Sequence, residues 1–335
     1  MDPLTHGLAS FAAARAFFPR ASRLTVVAAV AAGTAADLDD LSAFFGPSAY
    51  LAAHRTWTHS LPAAVLLAVL AAGVVLAAFR GKERQHVPFF ATSAAALLAA
   101  ALHLAMDLSQ AGGAALLWPL RSRRYALDWV GGLDPWILAI LLACILFPGL
   151  LRLVTEEIGA REKGPRGRVG AVLALLAVVA YTGARAFYHA RTVAALEERT
   201  YRGEMPRRAA AFPEQASLFE WHGLVETESA LHQVTVSTGP GASFDPERAH
   251  VFFKPEPTAV LDAARDTDAA RRFLALARFP KATVEKTVEG YRVVLRDLAA
   301  AAAGESARAL AVVIELCPDA KIHRQAIAWE RELAR

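Results

Sequence analysis

Apolar runs alternate with short charged turns over the first 190 residues of the chain, and this pattern ends there. A helix rises 1.5 Å per residue, so about 20 apolar residues cross a hydrocarbon layer of about 30 Å. Two early runs, Leu4–Phe18 and Leu24–Ala36, are shorter than that. The longer runs are Leu61–Phe79, Pro88–Ala111, Leu133–Val154 and Val169–Tyr188. The pattern predicts an α-helical polytopic membrane protein with about six apolar helices, the first two short and joined as a hairpin.

Residues 191–335 have the pattern of a soluble domain. Period-two alternation favours strands, whereas spacing of three and four favours an amphipathic helix. The predicted helix is Thr258–Phe279, and the predicted strands are Trp221–Thr227, Leu231–Ser237, Ala282–Thr287, Tyr291–Asp297 and Ala307–Cys317. We therefore expect a membrane-embedded domain over 1–190 and a soluble α+β domain over 191–335.

Composition and charge narrow the class of protein. Hydrophobic residues make up 55% of the chain, and the formal net charge is only +4, so no nucleic-acid surface is indicated. Two cysteines give neither a disulfide framework nor a CxxC site. The N-terminal MDPLTHG lacks the basic region of a signal peptide, and we expect it in the mature chain.

The basic residues predict which loops face the cytoplasm, where lysine and arginine are in excess. Three turns share one side and carry ten of them: Arg20, Arg23, Arg80, Lys82, Arg84, Arg152, Arg161, Lys163, Arg166 and Arg168. The segments 37–60 and 112–132 share the other side and carry four: Arg55, Arg121, Arg123 and Arg124. This asymmetry predicts an inner-membrane, multi-pass protein whose segment 37–60 and C-terminal domain are extracytoplasmic. Trp and Tyr in 112–132 fit an interfacial belt, and its arginines suit either an anionic substrate or lipid headgroups.

The stretch from Gly33 to Ser60 holds the most concentrated candidate chemistry. Its acidic, basic and histidine residues, directly between two apolar runs, are Asp37, Asp39, Asp40, His54, Arg55 and His59. Charged groups at the ends of apolar helices are costly unless they are paired. Oxygen and nitrogen donors without a thiol suit a divalent metal, so one interpretation of this stretch is a metal site. The alternative interpretation is an ordinary polar loop whose charges face water.

The predicted topology adds three more residues to this end of the bundle. The turn at 19–23 returns His6 to the end where Asp37 lies. His103 and Asp107 are spaced i, i+4 and so share one helical face. We predict that the metal ligands are His6, Asp37, Asp39, His54, His59, His103 and Asp107. A private His103–Asp107 hydrogen bond is the alternative for that pair.

These motifs resemble the YdjM-type (DUF457) family of membrane-bound, metal-dependent hydrolases. The similar segments are MDPLTHG, Asp37-Leu38-Asp39, His54-Arg55, Thr58-His59-Ser60, His103 with Asp107, Trp118-Pro119, 125–129 and Asp134-Pro135. Ala36 stands where that family's PDxD motif has proline. A more distant similarity to zinc-dependent phospholipase C enzymes implies phosphoester substrates.

The expected function is metal-dependent hydrolysis of a phosphoester or lipid-like substrate at the membrane surface. One or two divalent ions, with zinc as the expected metal, would bind there, and the partner would be a membrane lipid or another small amphiphile. Arg55 suits a phosphoryl group, and Asp40 is the candidate general base, since one carboxylate can act as base instead of ligand. The alternative is a non-enzymatic membrane protein with a structural metal site. A transporter is disfavoured because the spans show no inverted repeat.

Overall fold

Helices form the first half of the chain and two antiparallel sheets form most of the second half. The computed structural model describes residues 1–79, 86–157, 168–239, 244–304 and 308–333, with the backbone alone for 147–157. The chain divides into two compact units. Unit 1 comprises Met1–Asp40, His54–Leu127 and Leu133–Arg185, and unit 2 comprises Leu41–Ala53, Asp128–Gly132 and Ala186–Arg335.

The helices follow the apolar runs closely. They are α1 (Pro3–Phe17), α2 (Arg23–Ala35), a 3-10 helix (Ala36–Phe45), α3 (Pro47–Ala53), α4 (Leu61–Ala78), α5 (Phe89–Leu108), α6 (Pro135–Glu157) and α7 (Arg168–Glu197). Capping side chains fix several of the starts. Ser60 accepts a hydrogen bond from the Ala63 amide with Pro62 in the first turn, and Asp2 caps α1 in the same way through the Thr5 amide.

The prediction of six spans is not supported. Among the described residues, three helices are long and apolar enough to cross a membrane: Leu61–Ala78, Phe89–Leu108 and Arg168–Glu197. The helices α1 and α2 are real but have only 15 and 13 residues, and the described apolar part of α6 ends at Leu146. The basic residues Arg80, Lys82, Arg84, Arg161, Lys163 and Arg166 lie outside the described residues.

Small side chains allow the helices of unit 1 to pack closely. The buried cores between α1, α2, α4 and α5 consist largely of alanine, including Ala29, Ala68, Ala96 and Ala99. At Gly33 a Cβ atom would lie 1.9 Å from the Ser10 hydroxyl oxygen and 3.4 Å from Ala99 Cβ. Such small-residue contacts bring helix backbones together where lipid provides no hydrophobic driving force. The Gly33 backbone is therefore held against both α1 and α5.

Unit 2 contains two four-stranded antiparallel sheets. The first has the order β1 (Arg208–Pro213), β2 (Glu220–Glu226), β3 (Ala230–Ser237) and β4 (His250–Phe253). The second has β5 (Pro280–Thr287), β6 (Gly290–Asp297), β7 (Leu310–Leu316) and β8 (Ile322–Trp329). The remaining helices are α8 (Ala259–Arg265), α9 (Asp268–Leu274), α10 (Leu298–Ala302) and α11 (Glu330–Leu333), with a 3-10 turn at Pro246–Arg248. A C-terminal domain of mixed helices and strands is thus confirmed in outline.

Some predicted elements of unit 2 differ from the structure. The single helix expected over 258–279 is two helices, because Thr267 leaves the helical conformation and caps α9 through the Ala270 amide. Strands β1, β4 and β8 were not predicted, since β1 is alanine-rich, β4 has four residues, and the first half of β8 is polar and exposed. Residue 307, the start of the last predicted strand, lies outside the described residues.

Two short segments from the first half of the chain pack into unit 2. Tyr50 packs against Trp329 with tilted rings whose centroids are 5.2 Å apart, and Leu51 contacts the core of the second sheet. Asp128 forms a two-pronged ion pair with Arg278, both N–O distances being 2.6 Å. Unit 2 is therefore discontinuous in sequence.

Candidate metal centre

Asp107, near the end of α5, is the centre of a fully buried polar cluster in unit 1. Its side chain is 0% exposed, and three histidines surround it. His59 Nε2 and His103 Nε2 lie 2.9 and 3.2 Å from Oδ2, and His6 Nε2 lies 3.2 Å from Oδ1. The Met1 ammonium group also lies 2.5 Å from Oδ1. Residues from α1, the 59–60 turn and α5 thus meet at one carboxylate.

The orientation of His103 is set by the end of α2. His103 Nδ1 lies 2.9 Å from the Gly33 carbonyl oxygen, one of the last carbonyls of α2, which lack a partner within that helix. Because a carbonyl only accepts, Nδ1 is the donor, and the lone pair of a neutral ring lies on Nε2. Nε2 points towards Asp107 Oδ2 and lies 3.8 Å from Asp37 Oδ1. Metal-binding histidines commonly have this second hydrogen bond.

His59 is oriented in the same way by a carboxylate. Its Nδ1 lies 3.1 Å from Asp39 Oδ2, which also accepts hydrogen bonds from the Arg55 amide at 2.8 Å and the Thr58 hydroxyl at 2.6 Å. Arg55 has a φ of 54°, so the chain turns sharply around the Asp39 carboxylate. Asp39 thus orients the His59 ring with Nε2 towards Asp107.

Several buried atoms in the cluster accept or donate no well-aligned hydrogen bond in the described part of the chain, although the contacts of His59 and His103 with Asp107 Oδ2 bring polar atoms close together. The atoms without such a bond are His6 Nδ1, Asp37 Oδ2, His103 Nε2 and Asp107 Oδ2. Ligand atoms from His6, Asp37, His103 and Asp107 lie within 4.8 Å of one another. Ligands bound at 2.0–2.2 Å lie up to about 4.4 Å apart, so small side-chain adjustments would accommodate one divalent ion. The donor set therefore fits a metal ion, and its residues are called the inner group below.

A second group of possible ligands lies nearer the surface. It consists of Asp39, Asp40 and His54, whose ligand atoms also lie within 4.8 Å of one another. His54 Nδ1 is 3.3 Å from Asp39 Oδ1 and 3.0 Å from Asp40 Oδ1. The predicted ligands thus fall into the inner group and this outer group, and the outer group also contains Asp40, which was predicted as the general base. His59 connects the two groups, because its ring lies between Asp39 of the outer group and Asp107 of the inner group.

The loop carboxylates and His59 experience different electrostatic environments. Burial, together with the neighbouring Asp107, raises the pKa of Asp37 to about 6 despite the attraction of His103. Although burial opposes it, His54 and His59 hold the pKa of Asp39 well below its usual range. Burial likewise opposes protonation of His59, but the carboxylates of Asp107 and Asp39 raise its pKa to about 9. Protonated His59 thus supplies positive charge beside Asp107 in the metal-free chain.

Arg55 reaches the same cluster from the loop. Its guanidinium donates to the Gly113 carbonyl at 3.3 Å and the Gln110 side chain at 3.1 Å, and lies 3.8 Å from Asp107 Oδ1. Gln110 in turn donates to Asp107 Oδ1 at 2.8 Å. Arg55 is 8% exposed, so this positive charge is buried with the cluster.

Sequence reasoning missed four groups that orient the site. They are the Gly33 carbonyl, the Thr58 hydroxyl, the Gln110 amide and Arg124, which donates to the His54 carbonyl. A carbonyl has no sequence signature. Thr58 and Gln110, in contrast, are the polar residues directly beside His59 and shortly after Asp107, and that adjacency was an available signal.

Comparison with known proteins identifies a family. The family model described as YdjM inner membrane protein matches residues 1–192. The chain is 26% identical over 127 residues to "Uncharacterized protein YfhP" of Bacillus subtilis (strain 168), an alignment that covers 38% of this chain and 37% of that protein. No solved structure matches. Because the family match covers more than half of the chain, including every residue of both metal-ligand groups, this protein belongs to the YdjM inner membrane protein family.

Proposed function

We propose that this protein is a membrane-bound, metal-dependent hydrolase that acts on a phosphoester or lipid-like substrate. The observation that carries the proposal is the convergence of His59 Nε2 and His103 Nε2 on Asp107 Oδ2. Each ring has its other nitrogen beside an oxygen acceptor, so a neutral ring would direct its lone pair at a carboxylate oxygen. A cation between the rings and the carboxylate offsets that repulsion, as does protonation of His59 in the metal-free chain.

The residues divide between binding and catalysis. His6, Asp37, His59, His103 and Asp107 would hold the first ion, with zinc the expected metal for this nitrogen and oxygen donor set. A second ion would be held by Asp39 and His54 of the outer group. A bound divalent cation supplies a water nucleophile at neutral pH and stabilises negative charge on phosphoryl oxygens.

Two further residues keep the catalytic roles expected from the sequence. Asp40 would accept a proton as general base, and the 31% exposure of its side chain at the outer group supports this role. Arg55 places positive charge beside Asp107, where it would attract phosphoryl oxygens. Neither residue belongs to the inner group.

A structural metal site is the competing function. A structural site closes its coordination shell with protein atoms, whereas a catalytic site keeps a position open to water. The partial exposure of Asp37 (12%), His54 (20%) and Asp40 (31%) favours access from solvent and thus a catalytic site.

Metal analysis combined with an activity assay tests the proposal. Purified wild-type protein is expected to retain a divalent metal and to hydrolyse a phosphodiester, with loss of activity on chelation and recovery when zinc is returned. His59→Ala should lose the inner metal and the activity, whereas His250→Ala, at an exposed strand residue, should lose neither. Stable metal binding without hydrolysis of any phosphoester would favour the structural site instead.

The membrane arrangement is part of the same proposal. We place the protein in the inner membrane as a multi-pass protein, with the metal centre and the C-terminal domain on the extracytoplasmic side. The inner membrane is supported by the family match. The side is supported by the count of ten basic residues against four, and this part of the proposal requires α1, α2 and α6 to cross the membrane as well as the three long apolar helices.

A further inference from the structure

A loop beside the metal centre presents an apolar tip followed by exposed arginines. Leu117, Trp118 and Leu120 are 37%, 38% and 88% exposed, and Arg121 and Arg123 directly after them are exposed too. No acidic residue occurs between residues 108 and 127. Residues 117–123 are called the tip loop below. Its combination of apolar and exclusively basic side chains matches the interface of an anionic bilayer, in which aromatic and aliphatic groups enter and basic groups contact lipid phosphates.

The base of the tip loop is fixed within unit 1. Ala114 and Tyr125 exchange two backbone hydrogen bonds of 3.0 Å, which close the loop. Gly113, at φ +60°, allows this closure, since a Cβ there would lie 2.3 Å from the Tyr125 carbonyl oxygen. The tip loop therefore projects from an anchored base.

Hydrogen bonds connect the base of the tip loop both to residues of the metal centre and to the start of a candidate membrane span. The Gly113 carbonyl accepts from Arg55, and Arg124 donates to the His54 carbonyl. The amide of Leu61, the first residue of α4, donates to the Leu116 carbonyl at 3.0 Å. The α4 helix, a candidate span, exposes an apolar surface at Leu61, Val65, Leu66, Val69, Leu70 and Val74. An apolar surface thus begins at the start of this span, next to the base of the tip loop.

We propose that the tip loop inserts into the anionic leaflet on the side of the metal centre. Leu117, Trp118 and Leu120 lie among the upper acyl chains, and Arg121 and Arg123 contact headgroup phosphates. The loop thereby holds the metal centre at the level of the headgroups. A consequence that rests on the proposed function is that the substrate is a phosphoester drawn laterally from that leaflet.

Spin labelling of the full-length protein in liposomes tests the insertion. Leu120→Cys is labelled with a nitroxide after the native Cys144 and Cys317 are replaced by serine, and its collisions with oxygen and with a water-soluble nickel chelate are measured. The control is Val288→Cys, at a fully exposed residue between β5 and β6. We expect the oxygen-to-nickel ratio at residue 120 to be several-fold higher than at residue 288. Equal ratios at the two sites would overturn the proposal.

Lipid composition tests the role of the arginines. Adding phosphatidylglycerol to phosphatidylcholine liposomes should raise the ratio at residue 120, and Arg121→Gln/Arg123→Gln should abolish this increase. Arg207→Gln/Arg248→Gln, at exposed arginines of unit 2, should leave it intact. An increase that persists without Arg121 and Arg123 contradicts the headgroup contacts. Neither measurement requires hydrolysis, so failure of the proposed function would be seen separately.

Discussion

Asp39→Asn tests whether Asp39 orients the metal centre or binds metal itself. If the asparagine oxygen takes the Oδ2 position, it can still accept from the Arg55 amide and the Thr58 hydroxyl, so the loop should keep its fold. The substitution removes the negative charge that lies 3.1 Å from His59 Nδ1. In the wild type this charge makes His59 Nε2 a better metal ligand. Loss of such an orienting carboxylate lowers metal affinity about 10–100-fold, or about 1.4–2.8 kcal/mol.

Competition with a chromophoric chelator measures this change in affinity on purified protein. Asp319→Asn, at a half-exposed carboxylate of unit 2, is the matched control and should bind metal as wild type does. An unchanged affinity in Asp39→Asn would refute the orienting role. A loss as complete as that of His59→Ala would show that Asp39 is a direct ligand, as the sequence analysis predicted.

Three further predictions concern packing and topology. Gly33→Ala should lower the stability of the purified protein by about 1–3 kcal/mol through overpacking, whereas Gly73→Ala, where a Cβ meets nothing within 4 Å, should not. Arg278→Ala removes the partner of a buried carboxylate and should cost about 1.5–3 kcal/mol in a denaturant titration, against about 0.5 kcal/mol or less for the exposed Arg272→Ala. A thiol at Ser237→Cys should react with an impermeant reagent in intact cells, and labelling only after lysis would reverse the proposed topology.

The helices were predictable because apolar runs and caps are local signals. Ser60 and Pro62 mark the start of α4, and the helix begins at Leu61 as expected. Whether a helix crosses a membrane depends on length and on what packs around it. Hydrophobicity alone therefore could not decide whether the short helices α1 and α2 cross the membrane.

The candidate site was predictable in residue type but only partly in arrangement. The i, i+4 spacing of His103 and Asp107 predicted their shared face, and the hairpin of α1 and α2 brought His6 towards them. The sequence did not separate the inner from the outer group. That separation depends on the turn at Arg55, whose φ of 54° directs His54 outward and His59 inward around Asp39. A single backbone dihedral angle of this kind leaves no trace in residue spacing.

The discontinuity of unit 2 has a consequence for the order in which the protein is made. Asp128 leaves the ribosome about 200 residues before Trp329, and at about 5–20 residues per second this corresponds to about 10–40 s. During that time Tyr50 lacks its aromatic partner, and Asp128 lacks Arg278 for much of it. The segments 41–53 and 128–132 adjoin the metal-binding residues in the chain. The first can complete its packing only after β8 has been made, and the second only after Arg278 has been made. Chains that end before β8 would therefore leave the 41–53 segment without its aromatic partner.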